Sequence, residues 1–401
     1  MSGRSGQSRC LDLSRLASRV GRGPWTGVDR VEAAYCAHLL TRNDPLFALV
    51  RTGMGFVLLD RAGVQGLWDR LRGATPWGAP DLLSRLFLKA TDAKRAAESD
   101  LRRLCIARSG RGSLRTMLRR HLPRETIWLN VGHSNLQRHI FESFHAFGGT
   151  ATVLIHDMIP LDFPQYQRPG TVDDFRARMR RVGDLADLVI YNSQQSRKDA
   201  ERYFTDWGRV PDGVVALLGV DVPTPTTVPI RLNAPYFVTL GTIEPRKNHA
   251  LLLTVWQLLA ETMDQVPELV IIGARGWNND AVFAQLDTKP AHIHELNGLD
   301  DGETAALVQG ARALLFPSFA EGFGLPPAEA LALGTDVVAN ALPVYCEALG
   351  NNAIYADVLD MYSWAKIINS LAFTREAEQK AHTPVTLPTW ADHFNLVLKV
   401  T

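Results

Sequence analysis

The chain is poor in the features that announce most enzyme classes. Its four cysteines, Cys10, Cys36, Cys105 and Cys346, are scattered over 401 residues without a C-x-x-C pair. That spacing argues against a disulfide frame or a zinc site and fits reduced thiols in a cytoplasmic protein. No P-loop and no G-x-S-x-G nucleophile turn occurs. No run approaches the roughly 20 apolar residues that span a bilayer. The longest candidate, residues 251–260, reads as an amphipathic core helix. The first residues carry Arg4 and Arg9 but no apolar stretch, so a secretory leader is not expected. No internal repeat at solenoid periods is visible.

What is present is ordinary in bulk and uneven in distribution. A composition of 46% hydrophobic and 21% charged residues is that of a globular protein long enough for two cores. The formal net charge of +1 hides a split. From residue 233 onward nine Lys/Arg face nineteen Asp/Glu, a net −10, whereas residues 1–232 hold 34 against 23, a net +11. The densest basic stretch, Lys89 to Arg124, includes Lys94, Arg95, Arg102, Arg103, Arg108, Arg111, Arg115, Arg119 and Arg120. It is either a solvated helical face or a patch that rests on an anionic membrane. With little aromatic interleaving and no reader motif, nucleic acid is not expected as a partner.

Short apolar runs bounded by turn residues predict buried strands at 9–13, 126–131, 152–156 and 188–192, with two short strands within 48–60. A loop at 21–27 precedes a helix from 28 to about 40, and two or three Arg-rich helices fill the stretch to about 122. Four prolines between 221 and 235 mark a hinge. Beyond it strands at 236–240, 269–272, 313–316, 336–339 and 353–355 alternate with helices near 248–263, 303–311, 326–333 and 361–372. That rhythm predicts an α/β chain with a doubly wound sheet. The expected domains are 1–222, a Pro-rich hinge 223–235, a second domain 236–383, and a terminal helical segment 384–401.

The most informative stretch is Glu321-Gly322-Phe323-Gly324-Leu325-Pro326-Pro327-Ala328-Glu329. It places a Gly-rich turn after the apolar run 313–316 and opens a helix with two prolines, which suit a first helical turn. Gly334 is the expected helix stop. Unpaired N–H groups at Gly324 and Leu325 would face an anion at the helix start. With Gly241-Thr242-Ile243-Glu244-Pro245-Arg246-Lys247-Asn248, the run 269–272 closed by Gly273, and Leu315-Phe316-Pro317-Ser318, the segment resembles glycosyltransferase family 4. Those are retaining transferases of the GT-B fold, two Rossmann-like doubly wound domains facing across a cleft. The resemblance covers the C-terminal half well and the N-terminal half in short pieces.

The resemblance implies roles. Arg246 and Lys247 would hold the leaving diphosphate, with Asn248 as a cap for the next helix. Glu321 would sit beside the sugar ring, and Glu329, expected in the first helical turn, would hold the ribose hydroxyls. Gly241, Thr242, Gly273, Gly322, Phe323, Gly324 and Leu325 would complete the donor site. Many family members carry Arg where Thr242 stands, so Arg246 would take over that cation. His156, at the end of a strand in the first domain, would contact the donor sugar, and the loop with Gly23 and Gly27 would face diphosphate or acceptor. Asn192, Ser193 and Ser196 read more safely as a helix cap, and Gly132-His133-Ser134 as a candidate acceptor contact. No Asp-x-Asp pair occurs, which suits a metal-free site without cofactor, using a nucleotide diphosphate sugar as co-substrate.

The expected activity is hexose transfer, with GDP-mannose as donor, to a bacterial surface polysaccharide or lipid-linked saccharide. The enzyme would be cytoplasmic, or peripheral on the inner face of the plasma membrane. A GT-B epimerase and a non-catalytic saccharide-binding subunit are the alternatives. The segment 342–347 departs from the small-residue pattern of the family, so specificity for base and sugar is open.

Overall fold

The computed structural model describes residues 6–86, 90–232, 235–373 and 386–401. Lys89, Pro384 and the expected domain limit at 383/384 lie outside the described residues, as do two residues of the hinge.

Two sheets organise the chain. The first holds β1 (Arg9–Asp12), β2 (Leu46–Thr52), β3 (Gly55–Asp60), β4 (Ala107–Ser109), β5 (Ile127–Asn130), β6 (Thr150–Ile155), β7 (Leu188–Tyr191) and β8 (Asp212–Val215). Its spatial order is β4-β3-β2-β1-β5-β6-β7-β8. The β2–β3 and β3–β4 pairs are antiparallel, and the remaining pairs are parallel. The second sheet holds β9 (Tyr236–Leu240), β10 (Glu268–Ile272), β11 (Ile293–Leu296), β12 (Ala313–Phe316), β13 (Asp336–Ala339) and β14 (Ile354–Tyr355). It is wholly parallel, in the order β11-β10-β9-β12-β13-β14. Both are doubly wound: strand order runs outward in one direction from β1 or β9 and then reverses to the other side. Ligand crevices open outside the strand carboxyl ends at such reversals.

The short apolar runs become strands because helices cover both faces of a parallel sheet. Every residue of β1, β5 and β12 is buried. The sequence missed β4, a three-residue strand inside the stretch read as Arg-rich helices, and also β8 and β11, whose residues are mostly half-buried and therefore lack an apolar run. It also missed the helices Thr171–Leu185 and Gln194–Asp206, which are rich in charge on their outer faces.

The last helix, Trp390–Val400, packs against the first domain. Phe394 stacks on His38, its ring centroid 3.8 Å away, and His393 Nε2 lies 2.7 Å from the Tyr35 hydroxyl. His393 Nδ1 donates to the Leu217 carbonyl at 3.0 Å, so Nε2 is left to accept from Tyr35. Among the described residues no helix is long and apolar enough to cross a membrane.

Candidate active site

β9 and β12 are neighbours at the reversal of the second sheet, so the loops that follow them share one crevice. After β9 the chain turns at Gly241, whose φ of +141° lies in the region that favours glycine. A Cβ on the neighbouring Gly273 would come 2.0 Å from the Gly241 carbonyl oxygen, so this pair of strand ends tolerates no side chain. A short helical turn, Pro245–Lys247, then presents Arg246 and Lys247. After β12 the Gly-rich turn brings Glu321 to the same place, and the Phe319 N–H donates to the Arg246 carbonyl at 2.9 Å.

The result is a compact charge cluster. Lys247 Nζ donates to Glu321 Oε1 at 2.6 Å, and Arg246 Nη1 lies 2.8 Å from the same oxygen. Arg246 also donates through Nε and Nη2 to Glu244 Oε1 at 3.1 and 2.7 Å, and through Nη1 to the Ala320 carbonyl at 2.6 Å. Burial opposes ionisation of Glu321, but Arg246 and Lys247 outweigh it and hold its carboxyl down at about 2. The same ion pairs, together with Glu244, raise Arg246 against the opposing effect of burial. Arg246 is thus held by several protein acceptors. Among the described residues Lys247 forms an ion pair with Glu321 alone, and it sits 4.3 Å from the centroid of the Phe316 ring. Of the two, Lys247 is the cation freer to change partners.

The helix that follows, Leu325–Ala332, starts after Gly324 at φ +92° and stops at Gly334, φ +82°. Two expectations need correction here. Glu329 lies in the second turn, because the helix begins at Leu325, so the first turn holds no acid. Asn248 occupies the cap position of the helix His249–Thr262, but in a left-handed backbone conformation and without a side-chain cap. Glu329 instead meets the other domain: Arg30 Nη2 lies 2.6 Å from its Oε1. Burial raises its carboxyl pKa and Arg30 opposes that.

The first domain supplies the opposite wall. His156 follows β6, is 7% exposed, and donates from Nε2 to the Val131 carbonyl at 2.7 Å. Burial pushes its pKa down to about 4. A neutral ring that donates from Nε2 keeps Nδ1 as an acceptor. Its neighbour Asp157, pushed up to about 6 by burial against the pull of Arg246, lies beside Gly322. A Cβ on Gly322 would come 2.5 Å from the His156 carbonyl, so the glycine lets the two domains touch. Ser193 caps the helix Gln194–Asp206 through the Ser196 N–H at 2.9 Å, and Asn192 donates to the His156 carbonyl at 2.8 Å. Gly27 is the first residue of the helix Gly27–Thr41 and faces Leu325. Gly23 is not on the cavity wall. It turns the loop at φ +81°, and its neighbours Arg22, Pro24 and Trp25 reach the cavity instead.

Further contacts hold the cleft closed. Glu347 accepts the Gln194 N–H at 2.8 Å, and Trp277 Nε1 donates to the Tyr166 carbonyl at 2.9 Å while Arg168 covers the Trp277 ring. Tyr166 stacks on Phe319. Between the domains lies a cavity of about 700 Å³, within the size range of small-molecule sites. It gathers Gly241, Thr242, Gly273, Arg246, Lys247 and Glu321 on one side, with Gly322, Phe323, Gly324, Leu325 and Glu329 beside them. His156 and Gly27 face them from the first domain. Sequence reasoning missed Arg30 and Asp157. Asp157 directly follows the singled-out His156, whereas Arg30, on an ordinary helix face, carries no local signal. Among the described residues no three His, Cys, Asp or Glu side chains are grouped as metal ligands would be.

Residues 226–382 match the family model described as Glycosyl transferases group 1. The serotype-specific mannosyltransferase WbdA of Escherichia coli is 27% identical over 295 residues, covering 66% of this chain and 36% of WbdA. The chain thus spans little more than a third of the length of that relative. The O-antigen chain mannosyltransferase B of Escherichia coli is 30% identical over 222 residues, covering 53% of this chain and 58% of that protein. Among solved structures, Anabaena Alr3699/HepE in complex with UDP-glucose superposes with a TM-score of 0.60 at 16% identity, covering 98% of this chain and 97% of that one. Sucrose-phosphate synthase from Thermosynechococcus elongatus gives 0.59 at 15% identity, covering 92% and 90%. Those two likenesses carry the fold. With its two doubly wound sheets closed over one cavity, the chain has GT-B architecture, and its residues 226–382 match the group 1 glycosyltransferases, with mannosyltransferases among the relatives it resembles.

Proposed function

We propose that the chain is a retaining, metal-independent hexosyltransferase that takes mannose from GDP-mannose and extends a bacterial surface polysaccharide or lipid-linked saccharide. The observation that carries this reading is the Glu321 carboxylate held between Arg246 and Lys247 in the interdomain cavity. Glycosyl transfer develops positive charge on the sugar ring and negative charge on the departing diphosphate. A fixed carboxylate with two adjacent cations is complementary to that separation.

In the proposed reaction Lys247, Arg246 and the N–H groups at the start of the helix Leu325–Ala332 receive the diphosphate. Glu321 accepts from sugar hydroxyls beside the anomeric carbon, and Nδ1 of His156 accepts another. Glu329 exchanges its contact with Arg30 for the ribose hydroxyls. The anomeric C–O bond to diphosphate breaks, and the acceptor oxygen bonds to the same face. The acceptor's proton passes to the leaving phosphate oxygen. Arg246 and Lys247 supply the positive charge that a divalent ion would otherwise bring. The O-antigen mannosyltransferases among the relatives support mannose as the sugar. The basic first domain supports work at the inner membrane face, where lipid-linked acceptors and anionic headgroups meet.

A thermal-shift screen against GDP-, UDP-, ADP- and dTDP-sugars tests the donor: GDP-mannose should raise the melting point most. Transfer to a mannosyl acceptor, with the anomeric configuration read by NMR and EDTA present, tests the rest. Conversion of the donor without acceptor would identify an epimerase, and inverted product or a requirement for added metal would refute the mechanism.

A further inference from the structure

A second cavity, also of about 700 Å³, opens in the first domain. It lies at the carboxyl ends of β1, β2 and β5, where the strand order of the first sheet reverses. The two crevices are therefore equivalent in topology, one per sheet. Arg15 enters from the short helix Ser14–Arg19 after β1 and Arg51 from the end of β2, while Lys94, Arg178 and Arg181 come from two covering helices. Among the described residues only Glu98 and Asp174 oppose these five cations on the cavity wall. Glu98 is engaged, accepting the Gly53 N–H at 3.1 Å.

The cations are under-used by the protein. Arg51 and Lys94 have no side-chain partner among the described residues. Arg181 donates from Nε to the Leu136 carbonyl at 2.7 Å, and Arg178 from Nε to the Asp174 carbonyl at 3.3 Å. Their remaining N–H groups find no protein acceptor among the described residues. Arg15 alone is paired, its Nε 2.6 Å from Asp29 Oδ1. Burial lowers the pKa of Arg178, and the nearby charges of Arg181 and Arg15 lower it further, although Asp174 pulls the other way. A fold that crowds cations around a cavity without supplying enough anions is arranged for an anion from outside.

The crevice also adjoins the donor site. His133 lies on the wall of the second cavity and His156 on that of the first, and their ring centroids are 5.0 Å apart. His133 donates from Nε2 to the Leu154 carbonyl at 2.8 Å, and burial keeps its ring uncharged. Arg15 reaches across to Thr26, a wall residue of the interdomain cavity, at 3.2 Å.

We propose that this second cavity holds an anionic group of the acceptor, a phosphate or a carboxylate, between Arg15, Arg51 and Arg178, so that a hydroxyl of the same acceptor reaches past His156 to the donor sugar. The inference rests on the transferase reading and deepens it by naming the acceptor class. It requires acceptors with charge close to the attacked sugar, which a neutral glycan end does not provide.

Three acceptors separate the possibilities: dodecyl α-mannosyl diphosphate, methyl β-glucuronoside and neutral methyl α-mannoside. Binding of each is measured by calorimetry with excess GDP filling the donor cavity, and transfer is measured alongside. At least one charged acceptor should bind about tenfold or more tightly than the neutral one, with affinity falling as salt rises. Preference for the diphosphate identifies a lipid-carrier phosphate as the source, and preference for the glucuronoside a sugar carboxylate. In Arg51→Glu/Lys94→Glu, which changes two side chains without protein partners, the preference should disappear while the melting point holds. Equal binding of all three acceptors, or a preference that survives the double variant, overturns the proposal. Charged acceptors that bind selectively but receive no sugar would sink the transferase reading and leave the anion site standing.

Discussion

The two crevices occupy the same topological position in their sheets but carry charge in opposite ways. In the second domain Arg246 and Lys247 are matched by Glu244 and Glu321 within hydrogen-bonding distance. In the first domain five cations line a cavity with two acids. A matched cluster stays ordered before its ligand arrives, and the ligand enters by exchanging partners. An unmatched cluster attracts its ligand through its field and is neutralised on binding. A doubly wound reversal supplies only a place, and the neighbouring side chains decide what it can hold.

Removing the carboxylate that balances Arg246 and Lys247 has the largest expected effect. Glu321→Ala should lower kcat by about 100-fold or more, the scale of losing a group aimed at developing charge, while circular dichroism shows an intact fold. Turnover like that of the wild type would reject the role of Glu321. Lys247→Ala should weaken the free nucleoside diphosphate by about tenfold, because one charge-assisted contact is lost. Titration calorimetry reads this directly, and unchanged affinity would move the phosphate site elsewhere. Gly322→Ala sets a methyl against the His156 carbonyl. It should hold the cleft open and reduce kcat severalfold with little effect on the isolated second-domain contacts, which small-angle scattering can follow with and without nucleotide.

The smallest effect concerns the helix that ties the chain's last residues to the first domain. Burial pushes His393 down to about 4 from 6.5. The unfolded chain takes up this proton near pH 6.5, whereas the folded protein resists it until about pH 4. Stability present above pH 6.5 is therefore lost as the pH falls through that window. His156 and His249 act in the same direction. Urea titrations between pH 7 and about 4.5 should show this loss, with a shallower slope in His393→Gln. Identical slopes would mean that His393 is not the group responsible.

The two domains also differ in how far they could be read. Apart from the half-buried β11, the strands from 236 to 339 follow in the sequence as apolar runs punctuated by Gly, Pro and Asn, and the turn chemistry around Gly241 and Gly324 is local. Most of the first domain's helices are amphipathic with heavily charged outer faces, and its strand β8 is half-buried. Their signals are weak for physical reasons. Nor does the Arg-rich composition around residue 100 reveal that Lys94 faces a crevice while Arg102 pairs with Asp81.

The alternation of strand and helix, the Gly-Pro turn carrying Glu321, and the basic pair set just beyond a strand end are all written locally in the chain. These depend on backbone preferences and on spacings of a few residues. Only the tertiary structure decided that Glu321 lies between Arg246 and Lys247, that Arg30 meets Glu329 across the cleft, and that Arg15, Arg51 and Arg178 converge on one cavity. Those groups are far apart along the chain. They meet because two sheets reverse their strand order and then close on each other, and that closure is set by the packing of whole domains.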